Sequence, residues 1–174
     1  MADCTLRPAV AADEPLLLRI FAAARAEAWA AAGLGAAQLD LLLRQQFVAQ
    51  QRHYQAHFAA AESSIVQAWG SDAGRVLVDR GTEEITLVDI ALLPEYRGHG
   101  LGSTLLRALQ GEAAASRSRL VLHVERHSRA RAWYQRLGFV QIGEQGPHHL
   151  MHWKVPAGQP APRRPLPQAV GAAC

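Results

Sequence analysis

Lysine is nearly absent from this chain of 174 residues: of its 18 basic residues, Lys154 alone is a lysine and the rest are arginines. The formal net charge at pH 7 is only +3, so the overall composition does not indicate a polyanionic partner. The arginines are nevertheless concentrated between Arg117 and Arg136, where Glu125 is the one acid. Such a segment is typical either of a solvated helix face or of a surface that meets an anionic ligand.

Cysteine and long apolar runs are also scarce. The two cysteines, Cys4 and Cys174, lie near opposite ends of the chain, so reduced thiols are expected rather than a disulfide framework. The alanine-rich stretch at 26–37 is too short to span a bilayer. The N-terminus has neither the basic nor the apolar region of a signal peptide. These features predict a cytoplasmic protein with no membrane partner.

The distribution of apolar residues predicts the secondary structure. Hydrophobic residues make up 49% of the chain and charged residues 19%, which is typical of one soluble globular domain. Their periodicity predicts the order β-α-α-β-β-β-α-β-α-β-β. The middle of this order is an antiparallel meander, with strands at 64–69, 75–80 and 83–93 and a turn at "GSDAG", residues 70–74.

The composition changes at Pro156. Residues 156–174 contain five prolines and no apolar periodicity, which is typical of a tail or linker. We therefore predict one domain over residues 1–155, followed by a proline-rich tail. Because the set of core elements is complete at Val155, the tail is expected to pack against a neighbouring subunit in a homodimer.

The stretch "RGHGLG", residues 97–102, lies between a predicted strand and a predicted helix. Glycines let successive backbone amides wrap an anion, and the first turn of a helix carries unpaired N–H groups and a partial positive charge. A P-loop is excluded because no lysine precedes Ser103, and a Rossmann fingerprint would need its third glycine one residue later. The loop is therefore either a phosphate or pyrophosphate site or a tight turn.

Two linked motifs make the loop more specific. Arg97-x-x-Gly100-x-Gly102 resembles the pyrophosphate-binding signature [QR]-x-x-G-x-[GA] of the GNAT superfamily of acyl-CoA-dependent N-acetyltransferases. About thirty residues later, "HSRARAWYQRLGF" is similar to that family's second landmark, N-x-x-A-x-x-[LF]-Y-x-x-x-G-F. The chain departs from the family pattern at His127, where the family usually has Asn, and at Trp133, where it has a smaller apolar residue. The stretch between Val124 and His127 is also one residue shorter than is common.

The resemblance covers roughly residues 5–155 and implies the fold. It implies an α+β (mixed α/β) GNAT fold with a central mixed, mostly antiparallel sheet of about seven strands. About four helices should flank this sheet, and strands 4 and 5 should splay apart to admit acetyl-CoA. The cofactor-binding residues that the resemblance implies are Val88, Ile90, Ala91, Leu92, Arg97, Gly98, His99, Gly100, Leu101, Gly102, Ser103, His127, Arg129 and Tyr134.

The reaction that the resemblance implies is direct attack of an amine on the thioester carbonyl. The backbone amide of Val88, or its neighbour, would stabilise the oxyanion, and Tyr134 would protonate the leaving thiolate. Three candidates for the general base remain open, namely Glu84, Asp89 and His123, beside a chain of waters. Each also has a purely structural interpretation, such as a solvated strand residue, a carboxylate that stabilises a bulge, or a hydrogen-bonded core histidine.

The predicted function is an acetyl-CoA-dependent N-acetyltransferase that acts on a primary amine of a small molecule or peptide. A non-catalytic acyl-CoA-binding module, indicated by His127, and an aminoacyl-tRNA acetyltransferase remain as alternatives. Nucleic acid is not expected as a partner, because no stacking aromatics lie on a basic strand. No metal site is expected at His148, His149 and His152, because strand alternation separates the first two and no carboxylate or thiolate partner is spaced to join them.

Overall fold

The computed structural model describes residues 4–30 and 33–155, apart from the side chains of Glu27 and Ala28. The tail at 156–174, for which we predict a subunit contact, lies outside the described residues, as does Cys174. Cys4 is buried in the main core.

The predicted order of elements is confirmed. The strands are β1 (Cys4–Pro8), β2 (Glu62–Ala68), β3 (Ser71–Arg80), β4 (Glu84–Leu92), β5 (Arg119–Glu125), β6 (Val140–Gln145) and β7 (His148–Trp153). The helices are α1 (Glu14–Ala30), α2 (Ala36–His57), α3 (Leu101–Ser116) and α4 (Ala130–Arg136). Short 3-10 turns at Ala11–Asp13 and Pro94–Tyr96 precede α1 and the glycine loop.

The seven strands form one sheet in the order β1-β2-β3-β4-β5-β7-β6. Strands β4 and β5 are parallel, and every other neighbouring pair is antiparallel. The parallel pair is possible because α3 lies between these strands in the chain and provides the long crossover that such a pair needs. The expected mixed, mostly antiparallel α+β sheet is thereby confirmed.

The predicted turn at 70–74 is wrong. The β2–β3 hairpin turns at Trp69 and Gly70, whose φ angles are 51° and 77°, and β3 begins at Ser71. Positive φ at both central positions is typical of a type I′ turn, and of the two residues only Gly70 adopts it without strain. Gly74 lies within β3. A Cβ at this position would lie 2.3 Å from the carbonyl oxygen of Ala91 on the adjacent strand, so the close approach of the two strands explains the glycine.

Helices cover both faces of the sheet. Four leucines of α3 (Leu101, Leu105, Leu106 and Leu109) pack with apolar side chains of β3, β4 and β5 in the main core. On the opposite face α1 packs against β3 and β4. Here Phe21 of α1 meets Phe47 of α2 edge-to-face, with ring centroids 5.6 Å apart. The site described next opens between these two layers.

A bulge at Val88 changes which side chains face each layer. Leu87 and Asp89 lie opposite two adjacent residues of β3, Val78 and Leu77, so Val88 has no partner of its own. One extra residue reverses the alternation of side chains along a strand. Val88 and Asp89 therefore both line cavities on the α1/α2 side, whereas Leu87 belongs to the core on the α3 side.

Candidate active site

Strands β4 and β5 separate at the bulge, as the fold prediction requires. Their pairing runs from Glu84, opposite Arg119, to Leu87, opposite Leu122, and stops there. Beyond that point β4 continues to pair with β3 as far as Leu92. The other edge of β4 from the bulge onward therefore faces a gap, where its backbone N–H and C=O groups are available to a ligand.

The gap opens into a first cavity of about 590 Å³. Its walls come from the end of β4, the glycine loop, the first turn of α3 and one face of α4. The lining residues are Ala24, Ile90, Ala91, Leu92, Arg97, Gly98, Gly100, Leu101, Gly102, Ser103, Ala130 and Trp133. Most of the residues predicted to bind the cofactor are thus brought together around one cavity.

The glycine loop has the geometry of an anion cradle. Gly98 and Gly100 have φ angles of 77° and 82°, which L-residues with side chains rarely adopt. Gly100 is also the N-cap residue of α3, so the unpaired N–H groups of the first helical turn follow it directly. The space beyond the α-carbons of both glycines is open. The loop therefore fits a pyrophosphate, because a bulky anion can approach its backbone amides.

Trp133 lines the first cavity. The sequence showed it only as a departure from the family pattern and did not predict a place in the site. Its indole Nε1–H donates to Ser103 Oγ at 3.0 Å, which ties α4 to the first turn of α3. A Cβ at Gly102 would lie 3.0 Å from the Trp133 ring, so a larger residue there would force the indole to shift by a few tenths of an ångström. The third glycine of "RGHGLG" therefore serves helix packing as well as the loop.

The side chains of Arg97 and His99 contact other parts of the protein. The guanidinium of Arg97 donates to the carbonyl oxygens of Leu92 at 2.8 Å and Ala23 at 3.3 Å, which anchors the loop to β4 and α1. His99 lies outside the first cavity, with its ring edge against Trp69 at 5.2 Å. The family resemblance implies that both residues bind the cofactor, and this stays a prediction, because these contacts involve only the side chains and Arg97 also lines the first cavity.

A second cavity of about 850 Å³ lies between α1, α2 and the splayed strands. It is lined by Ala24, Arg25, Trp29, Gln46, Gln50, Tyr54, Asp89, Ile90, His123, Val124, Glu125, Ser128, Ala130, Tyr134 and His148. A third cavity of about 640 Å³ adjoins it and shares Arg25, Gln50, Tyr54, His123 and His148. Ala24, Ile90 and Ala130 line both the first and the second cavity, so the splay connects these two spaces.

Asp89 is the central charged group of the second cavity. Burial raises the pKa of its carboxyl, and the positive charges of Arg75 and Arg25 partly oppose this rise. The nearer cation is Arg75 on β3, whose Nε lies 3.4 Å from Asp89 Oδ2. Tyr54 lies beside them, under the Arg75 guanidinium at 5.3 Å, and burial raises the pKa of its phenol.

Tyr134 and His123 line the same cavity as Asp89. Tyr134 is buried, with its ring packed edge-to-face on Phe139 at 5.8 Å, and burial raises the pKa of its phenol above the ordinary value. His123 lies on the part of β5 beyond the last residue paired with β4. The structure therefore brings together three of the four candidate catalytic residues.

Glu84 is separated from this group. It lies at the start of β4, opposite Arg119, and its carboxylate forms an ion pair with the Arg119 guanidinium at 3.0 Å. It lines neither the first nor the second cavity. Its position favours the interpretation as a solvated strand residue. His127 and Arg129, at the start of α4, also have exposed side chains that do not line these cavities.

The histidines of β7 do not cluster. Burial alternates along the strand, with His149 buried and His148 and His152 partly exposed on the other face. Within the described ranges, no group of three His, Cys, Asp or Glu side chains is arranged to hold a metal ion. None of the helices described here is long and apolar enough to cross a membrane.

The comparisons with known proteins agree with this arrangement. Residues 53–141, about half of the chain, match the family model of the acetyltransferase (GNAT) domain. No curated protein matches the sequence.

Solved structures share the fold at low sequence identity. The PaiA N-acetyltransferase of Thermoplasma acidophilum in complex with coenzyme A has a TM-score of 0.65 at 16% identity, over 87% of this chain and 99% of that one. An acetyltransferase from Thermus thermophilus has a TM-score of 0.64 at 21% identity, over 89% and 100% of the two chains. The ribosomal-protein-S18-alanine N-acetyltransferase of Escherichia coli has a TM-score of 0.60 at 18% identity, over 90% and 97%.

Proposed function

Because this chain belongs to the GNAT family of acetyltransferases, we propose that it transfers the acetyl group of acetyl-CoA to the primary amine of a small molecule or peptide. The amine attacks the thioester directly, in a complex that holds both substrates. Acetyl-CoA supplies the activated acetyl group. The residues of the chain bind it, orient the amine and move the protons.

The observation that carries this proposal is the position of the released β4 edge beside the glycine loop. The backbone of Ile90, Ala91 and Leu92 is available to pair with the amide groups of a pantetheine arm, as an added strand would. The amides at 98–103 are available to the pyrophosphate. Both sets line the first cavity, so one extended ligand can engage them together.

We propose that the acyl carbonyl lies at the bulge. An extra strand residue leaves a backbone N–H outside the regular ladder, and Val88 is that residue here. We assign the oxyanion contact to the N–H of Val88 or its neighbour. One such preorganised donor typically contributes about 10²–10³ in rate.

We assign the two proton transfers to residues at the splay between β4 and β5. Asp89 and His123 are the two candidates for the base that accepts the amine proton, directly or through water. Asp89 is favoured, because its raised pKa brings a carboxylate closer to the neutral range in which a base works best. Tyr134 is assigned as the acid that protonates the thiolate, since burial keeps its phenol protonated at physiological pH.

The test is the release of CoA from acetyl-CoA, measured with a broad panel of primary amines, together with calorimetric binding of acetyl-CoA. Turnover of at least one amine, with the acetyl group recovered on nitrogen by mass spectrometry, is the expected result. Binding of acetyl-CoA without turnover of any amine would instead favour the non-catalytic acyl-CoA-binding module. A chain that binds no CoA would contradict both functions.

A further inference from the structure

Arg25 is a charged residue of the second and third cavities to which the acetyl-transfer chemistry assigns no role. It lies on α1 and lines both cavities. The proposed mechanism puts the acceptor amine on this side, beside Asp89 and His123. The first cavity, assigned to the CoA arm, does not include it. A cation at this place acts on the acceptor rather than on the cofactor.

The guanidinium of Arg25 is held in place without a hydrogen bond. Its Cζ lies 3.7 Å from the centroid of the Phe21 ring, one helical turn earlier. Phe21 is itself buried and fixed edge-to-face against Phe47 of α2. A stacked arginine of this kind keeps its planar fork of N–H donors in one orientation, which lowers the entropic cost of binding a planar anion.

None of the N–H donors of Arg25 is hydrogen-bonded to a protein acceptor within residues 4–30 and 33–155. Asp89 and Glu125 act on the guanidinium only through their charges, and the Asp89 carboxylate forms its ion pair with Arg75. The N–H donors of Arg25 are therefore available to the acceptor atoms of a ligand in the cavity.

The second cavity thus carries negative and positive side chains in two different places. Asp89 and Glu125 offer negative charge to an ammonium near the splay, and Arg25 offers a bidentate cation on the α1 side. We propose that the acceptor is an amine that also carries a carboxylate, as a free amino acid does, and that Arg25 binds this carboxylate. This inference rests on the proposed acetyl transfer and specifies its substrate class.

The experiment compares matched acceptors, each an amino acid and its carboxamide, in the CoA-release assay. The carboxamide keeps the amine and the side chain and removes only the negative charge. Because an amide also makes the amine less basic, and so more often unprotonated, a preference for the acid reports binding. We expect kcat/KM of the wild-type protein to be higher for the acid by about 10²-fold, as for one charge-assisted pair.

Two variants of Arg25 and one control localise the preference. Arg25→Gln should lower kcat/KM for the acids by about 10²-fold more than for the carboxamides, whose change reports only the altered charge beside Asp89. Arg25→Lys keeps the charge but loses the planar fork, so its kcat/KM for the acids should lie between those of the wild-type protein and Arg25→Gln. Arg44→Gln, on an exposed part of α2, should change neither value. The thermal shift given by acetyl-CoA should be the same in all four proteins.

The outcomes separate this inference from the proposed function. If the wild-type protein turns over carboxamides or simple amines as fast as the acids, the carboxylate site is contradicted and the acetyl transfer is not. This result can be seen without any variant. An acid preference that survives in Arg25→Gln also contradicts the carboxylate site. A protein that acetylates no amine in either series contradicts the acetyl transfer itself, and the substrate class with it.

Discussion

The guanidinium of Arg75 lies 3.4 Å from the carboxylate of Asp89, directly beside the bulge where β4 leaves β5. The Arg75 side chain is only 3% exposed, whereas that of Asp89 is 25% exposed, so the pair is buried on one side and open to the second cavity on the other. The bulge creates this contact, because it directs Asp89 to the α1/α2 side. Arg75 orients the carboxylate, and burial raises its pKa.

Asp89→Asn is expected to lower kcat/KM by about 10²–10³-fold, because it removes the proposed base. A base must be deprotonated to act, so the activity of the wild-type protein should rise as the pH rises through the Asp89 pKa. Since burial raises that pKa, this acidic limb should lie above the usual range of an aspartate. The measurement is kcat/KM against pH.

His123→Gln is the matched comparison for the base. It should keep the acidic limb if Asp89 is the base, although His123 lines the same cavity. If the limb disappears in His123→Gln and persists in Asp89→Asn, the base is His123 and the assignment to Asp89 is wrong.

Tyr134→Phe is expected to lower kcat by about 10²-fold while acetyl-CoA affinity changes little. The substitution keeps the ring that packs on Phe139 and removes only the hydroxyl. Burial raises the pKa of the phenol, so the alkaline limb that a general acid produces should lie above the usual range of a tyrosine. Steady-state kinetics and calorimetric binding of acetyl-CoA measure the two effects. Wild-type kcat in the variant would exclude the acid role, and weak binding with normal turnover would make Tyr134 a positioning residue.

Gly100→Val is expected to abolish the thermal shift given by CoA, because a branched side chain would fill the space open to the pyrophosphate. The milder Gly100→Ala should reduce the shift. The φ of 82° also strains any side chain at this position, by about 1–2 kcal/mol, so folding stability will fall as well. Gly70→Ala controls for that strain, since its φ of 77° is similar and it lies in the β2–β3 hairpin. An equal CoA shift in folded Gly100→Val and in Gly70→Ala would rule out the loop as the cofactor site.

Asp13→Asn tests an electrostatic contact that supports the fold away from the site. The Arg7 guanidinium donates to both carboxylate oxygens of Asp13 at 2.8 Å and also to Asp72 at 2.7 Å. The hydrogen bonds from Arg7 are the main reason that the pKa of Asp13 falls to about 2. A lowered carboxyl pKa stabilises the fold above the unfolded value of about 4, and this stabilisation is lost as the pH falls toward 2.

We therefore expect Asp13→Asn to lower the free energy of unfolding at pH 7 by about 1–2 kcal/mol. The difference from the wild-type protein should shrink as the pH falls from about 5 toward 2. Urea denaturation across that range measures it. Asp40→Asn, which breaks an exposed pair with Arg44 on α2, should change stability little at any pH. Equal effects of the two substitutions would contradict the structural role of Asp13.

Short-range sequence patterns determined much of this protein. The order of strands and helices follows from apolar periodicity, and the glycine loop follows from the spacing of Gly98, Gly100 and Gly102, because these features depend on neighbouring residues. The family resemblance added the splay between β4 and β5. The one misplaced turn, at 70–74, shows the limit of local patterns. Asp72 and Gly74 are turn-forming residue types, but pairing with β2 and the close approach of β4 hold them in a strand.

Tertiary structure alone decided which distant side chains meet. Asp89 contacts Arg75 because a bulge at Val88 shifts the register, and a shift of one residue moves every later side chain to the other face of the sheet. Trp133 lies close to the α-carbon of Gly102 because α3 and α4 pack together. Arg25 lines the second cavity while its guanidinium stacks on Phe21, which in turn packs against Phe47. Register and packing are properties of contacts between residues far apart in the chain, so no local pattern specifies them.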